Sequence, residues 1–93
     1  MRVEFRRLIG TVLEERPWPI LAVNSDELRK EAAALLGGFY ESDEREFWPK
    51  KKFIQKTPEE VRIMDSAGKI LARYDVWDLI DDTGRKLVDS RDA

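Results

Sequence analysis

Cysteine and histidine are both absent from this chain. Without cysteine there is no disulfide framework, no thiolate nucleophile and no cysteine metal site. Without histidine the usual neutral-pH acid/base and the commonest transition-metal ligand are both missing. Long apolar runs are absent too. The longest, Ile20-Leu21-Ala22-Val23, falls far short of the roughly 20 residues that cross a membrane. The N-terminus, MRVEFRRLIG, is broken by charges and has no apolar signal-peptide core, so a soluble, cytoplasmic protein with no membrane partner is expected.

The glycine-rich phosphate and nucleophile motifs are missing as well: no Gly-x-Gly-x-x-Gly, no Gly-Lys-Ser/Thr and no Gly-x-Ser-x-Gly. Gly37-Gly38 follows an expected helix instead of opening one, so it presents no helix N-terminus to a phosphate. No lysine has an acidic residue two positions before it, which removes the acid-x-Lys core of many metal-dependent nucleases. The serines and threonines have no histidine to activate them. Nineteen acidic residues make chance carboxylate pairs common, and Asp75, Asp78, Asp81 and Asp82 lack the loop spacing of known calcium sites. These four read as solvated turn residues. No catalytic residue, cofactor or metal is expected.

What remains is a charged but foldable chain. Its 93 residues suit one domain, 1–93, able to bury roughly 60–65% of its extended surface. Hydrophobic residues make up 42% and charged residues 39%, with 10% aromatic, enough apolar content to offset the entropy of ordering. The formal net charge is −2, the wrong sign for a protein whose main task is neutralising phosphates.

The expected fold is α+β: two helices packed on an antiparallel sheet that includes a C-terminal three-stranded meander. Phe5, Leu8, Ile9, Val12 and Leu13 have helical spacing, and the first helix is placed over 1–16. The alternation of Met1, Val3 and Phe5 and the presence of Gly10 point the other way, toward a strand. Pro17-Trp18-Pro19 ends this element, and Ile20 to Val23 reads as a short buried strand. Trp18 itself reads more readily as a core plug than as a presented aromatic. The second helix begins at a cap, Asn24, with Glu27 three residues on, and buries Leu28, Ala32, Leu35 and Leu36. Gly37-Gly38 supplies a left-handed stop.

FYESDEREFW then reads as two short strands around a polar turn, and Thr57-Pro58-Glu59-Glu60 as the start of a helix that does not continue. Further on, IMDSAGKIL at 63–71 is echoed by LIDDTGRKL at 79–87. Each copy carries an Asp-x-x-Gly turn, so two hairpins and a long central strand from about Lys69 to Ile80 are expected. On that strand Trp77 faces away from Tyr74.

One segment attracts a functional reading. FWPKKKFIQK, residues 47–56, gathers Lys50, Lys51, Lys52 and Lys56 around Phe47, Trp48 and Phe53. Lysines release counterions from phosphate, and aromatics stack on unpaired bases. The preceding ESDERE sets four acidic residues against one arginine, within roughly a Debye length of 8–10 Å if the chain doubles back. A solvated sheet edge is the ordinary role of such lysines; a protein-binding surface ranks next, and single-stranded nucleic acid third. The resulting expectation is a small non-enzymatic interaction module, a regulatory or neutralising partner of another protein or of a second copy of itself. It would use Trp48, Lys50, Lys51, Lys52, Phe53, Lys56 and Trp77. The alternative is a single-stranded nucleic-acid-binding module built on the same strip.

Overall fold

The computed structural model describes residues 1–19, 24–50 and 56–88; the expected strand at Ile20 to Val23 lies outside them. The first sixteen residues form a hairpin, not a helix. Strand β1 (Arg2–Arg6) pairs antiparallel with β2 (Val12–Pro17), from Arg2 opposite Pro17 to Arg6 opposite Val12. Gly10 decides the matter locally, since its φ of 103° lies outside what a helix permits. The Arg7 amide donates to the Thr11 carbonyl (2.8 Å) and the Gly10 amide to that of Arg7 (2.9 Å). Of the five residues at helical spacing, only Phe5 enters the core, while Leu8, Ile9 and Val12 are exposed. The two-residue period of Val3 and Phe5 prevails because β1 is an inner strand that can bury one face.

Helix α1 (Ser25–Gly37) follows the sequence signals closely. Asn24 Oδ1 accepts the Glu27 amide at 2.9 Å, and Asp26 and Glu27 place negative charge in the first turn, where the helix dipole favours it. Leu28, Ala32 and Leu36 are buried against the sheet, worth roughly 1.5–3 kcal/mol for each leucine. The stop is not left-handed. Gly38 has φ −63°, and its amide returns to the Ala34 carbonyl, so the helix simply tightens into a turn.

Two short strands, β3 (Tyr40–Ser42) and β4 (Glu46–Pro49), pair around the acidic turn as expected. No helix forms at Thr57-Pro58. The carbonyls there are taken by others, Thr57's by Arg7 Nη1 (2.6 Å) and Pro58's by the buried Tyr40 hydroxyl (2.7 Å). Strand β5 (Glu60–Met64) then turns through Asp65-Ser66-Ala67-Gly68 into β6 (Ile70–Asp75). Asp65 Oδ1 accepts the Ala67 and Lys69 amides, each at 2.9 Å, and Gly68 takes φ 86°. This is the hairpin chemistry that Asp-x-x-Gly predicts.

The second copy of the echo behaves differently, so the expected meander is matched only in part: its first hairpin forms between β5 and β6, but β7 pairs with β4 instead of β6. β6 stops at Asp75, and residues expected to extend it become helix α2 (Val76–Thr83). Asp75 Oδ1 accepts the Asp78 amide (2.9 Å) while Asp78 Oδ2 accepts the Asp75 amide (3.0 Å), a reciprocal cap. Gly84, at φ 69°, is therefore a left-handed helix terminator rather than a hairpin residue. β7 (Lys86–Leu87) runs parallel to β4, with Leu87 opposite Phe47.

The described strands thus make two sheets, β2-β1-β5-β6, all antiparallel, and the mixed β3-β4-β7. Val3, Phe5, Val61, Ile63, Ala72 and Tyr74 line the face that α1 covers, and Tyr40, Phe47, Val76 and Leu79 extend the same core. Phe39 meets Phe5 edge-on, 5.2 Å between ring centroids.

On the opposite face of β1, β5 and β6 most residues are charged. Glu60, almost fully buried, is contacted by Arg6 Nε (3.7 Å), Arg73 Nη2 (2.6 Å) and, more closely, Arg62. Arg73 also donates to Asp75 (2.6 Å), and Arg6 to Glu4 (3.1 Å). Burial works to lower the Arg73 pKa, but the neighbouring Glu60 and Asp75 more than offset it and hold the guanidinium above its ordinary range. The face is therefore neutralised from within.

Candidate functional site

Helix α2 is short, and its placement is what creates the site. It is capped at both ends and anchored inward by Val76 and Leu79. Arg29 on α1 ties down its outer acidic side, reaching Asp82 at 3.3 Å while its guanidinium lies 4.9 Å from the centre of the Tyr74 ring. The Tyr74 hydroxyl donates to the same Asp82 carboxylate (2.8 Å). Burial, together with that bond, pushes the Tyr74 pKa above its usual value, so the phenol holds its proton.

With Val76 and Leu79 inward and Asp82 toward α1, helical geometry sends Trp77 outward. It is 63% exposed, an unusual state for the largest apolar side chain. Trp77 forms one wall of a groove of about 630 Å³. The lining includes Val76 and Ile80 from α2, Leu87 from β7, and Leu8 from the β1–β2 turn. Gly84 and Arg85 line it from the chain that links α2 to β7, and Lys86 from the start of β7.

Leu8 is held in place by a distant segment. Glu59 Oε1 accepts the Leu8 amide (3.1 Å) and pairs with Arg7 Nε (3.1 Å), while the Glu59 amide donates to the Arg6 carbonyl (2.7 Å). The Val76 amide donates in turn to the Glu59 carbonyl (3.0 Å). One residue, Glu59, thereby joins the hairpin turn to the start of α2.

The electrostatics of the groove follow from these pairings. The carboxylate of Glu59 is neutralised by Arg7. Arg85 lies over the Phe47 ring at 5.2 Å, and neither it nor Lys86 has an ion-pair partner among the described residues. The groove is thus apolar along its length and cationic where α2 hands over to β7. Such a surface suits removal of apolar area from water, with a preference for negative charge at one end.

Of the residues singled out in the sequence, Trp77 alone lies in this groove, and on a helix rather than a strand. Trp48 is half-buried in β4, and Lys50 just after it is exposed. Lys56 is exposed and lines a different cavity, of about 520 Å³, with Phe5, Leu13, Glu14, Phe39 and Pro58. Lys51, Lys52 and Phe53 lie outside the described residues. Leu8, Glu59, Ile80, Arg85, Lys86 and Leu87 were not expected at a site. The signal for α2 was nevertheless present in Asp75-x-x-Asp78, which has the spacing of a capping box, and in the helical interval between Val76, Leu79 and Ile80. Trp18, read as a core plug, packs against the core while its indole donates to Glu31 (2.9 Å).

Among the described residues no group of three or more acidic side chains is placed to hold a metal ion. Among the same residues no helix is long and apolar enough to cross a membrane. No protein-family model, curated protein or solved structure matches the chain.

Proposed function

We propose that this protein is a small non-enzymatic interaction module, a regulatory or neutralising partner that recognises another protein through the groove beside Trp77. The observation that carries this reading is the exposure of Trp77 on a helix fixed at both ends, along a continuous apolar lining. Exposed contiguous apolar surface marks interaction sites more often than it marks accident, and tryptophan is the residue most enriched at binding hot spots. A rigid helix presents it at little entropic cost. The basic-aromatic strip is not needed for this reading: Trp48 is half-buried in β4 and does not line the groove.

The test is photo-cross-linking with a benzophenone amino acid in place of Trp77, and in place of Glu15 on the distant strand β2 as control. A partner is expected at position 77 and not at 15. Trp77→Ala should then weaken binding of that purified partner about 30-fold or more, a hot-spot loss of about 2 kcal/mol, with the far-UV spectrum unchanged. Equal capture at both positions, or undiminished binding by Trp77→Ala, would sink the reading. Oligonucleotide binding that falls steeply with salt and is lost on Lys50→Glu with Lys56→Glu would replace it by a nucleic-acid function.

A further inference from the structure

We infer that the segment seated in the Trp77 groove is aliphatic and acidic: a short stretch of a partner protein whose apolar side chains lie along α2 and whose carboxylates meet Arg85 and Lys86. This rests on the reading of the groove as a protein-binding surface and adds the chemistry of the occupant. Charge is left over at one end of the groove only. At the hairpin end of the groove, Glu59 is matched by Arg7 at 3.1 Å and holds the Leu8 amide, so that end has no charge to offer a ligand. At the other end two cations stand without an anionic partner among the described residues, one on a buried aromatic ring and one exposed.

The sign is also opposite to that of the chain, whose net charge is −2. A general attraction for acidic partners is therefore excluded, and the local pair of cations sets the orientation of one that fits. A basic segment would gain nothing there, because it would bury its charge against Arg85 and Lys86. A second copy of this chain is the less favoured occupant. Two acidic chains repel at long range, and a two-fold axis through the groove would bring the cationic ends of both copies into the same interface.

The experiment is a selection from a displayed library of random 12-residue peptides on the full-length chain, discarding peptides that also bind Trp77→Ala. The enriched sequences should combine Leu, Ile, Val or Met with Asp or Glu clustered toward one end. A synthetic peptide of the consensus should bind at least tenfold more weakly to Lys86→Glu, and weaken further with Arg85→Glu added. A peptide with lysine at its acidic positions should reverse that order. Lys86→Glu serves as the primary variant because Arg85 packs on Phe47 and its replacement also disturbs the core.

An uncharged or basic consensus, no enrichment at all, or indifference to Lys86→Glu would overturn the inference. In each case the groove's role as a protein-binding surface would still stand or fall by the cross-linking experiment. Sedimentation showing a dimer that Trp77→Ala dissociates would overturn it in favour of a second copy.

Discussion

Replacing Glu60 by glutamine keeps the side chain's shape and removes one negative charge from among three guanidinium groups. The carboxylate is 5% exposed and meets Arg73 at 2.6 Å, Arg6 at 3.7 Å, and Arg62. In a fully buried setting, removing one partner of an ion pair costs about 3–5 kcal/mol. Here the arginine side chains keep 18%, 26% and 43% exposure, so water takes up part of the lost interaction. Surface pairs contribute only about 0–1 kcal/mol each. Between these limits Glu60→Gln is expected to cost about 2 kcal/mol. Urea unfolding at neutral pH, followed by tryptophan fluorescence and far-UV circular dichroism, reads this as a lower midpoint at constant slope. With slopes of about 1–3 kcal/mol/M the midpoint falls by roughly 0.7–2 M. The deficit should shrink in 1 M salt, where the Debye length is about 3 Å. A loss below about 0.5 kcal/mol would show that solvent already screens the cluster, and the self-neutralised sheet face would lose its support.

Two further outcomes test other parts of the fold. Burial acts to raise the Asp75 pKa, but its bond from the Asp78 amide and its pairing with Arg73 prevail and hold the carboxyl below its ordinary value of 3.8. Its contribution is therefore complete above that value and lost as pH falls through the depressed one, so Asp75→Asn should flatten the acid limb of a stability profile followed from about pH 5 downward; an unchanged limb would refute the assignment. Gly37, the last residue of α1, has nothing within 4 Å of an added Cβ, so Gly37→Ala should raise stability by about 0.5–1 kcal/mol in thermal or urea unfolding, and a loss would contradict a helical backbone at that position.

The elements that were legible in the sequence are those whose local chemistry has one solution. Asn24 with Glu27 can only begin a helix before that apolar stripe, and Asp65 with Gly68 closes a hairpin whose strands are already β-rich. The elements that misled are those where one pattern serves two structures. Phe5, Leu8, Ile9, Val12 and Leu13 fit a helix as spacing, yet the turn at Gly10 and the pairing of β1 with β5 claim the segment for a sheet. Asp81-x-x-Gly84 repeats the residues of the true hairpin turn. In it Gly84 terminates a helix, because the reciprocal cap at Asp75 and Asp78 had already started one.

The same divide separates composition from site. An acidic charge balance, a mixed α+β architecture and the absence of cysteine and histidine chemistry belong to the amino-acid sequence alone, because each depends on residue types or on neighbours a few positions apart. The groove does not. Leu8, Glu59, Trp77 and Leu87 come from four separate parts of the chain, and they meet only because β1 pairs with β5 and β7 with β4. Strand pairing over such distances is chosen by the burial of whole faces, and that choice turned Trp77 from a residue on an expected strand into the exposed wall of an apolar groove.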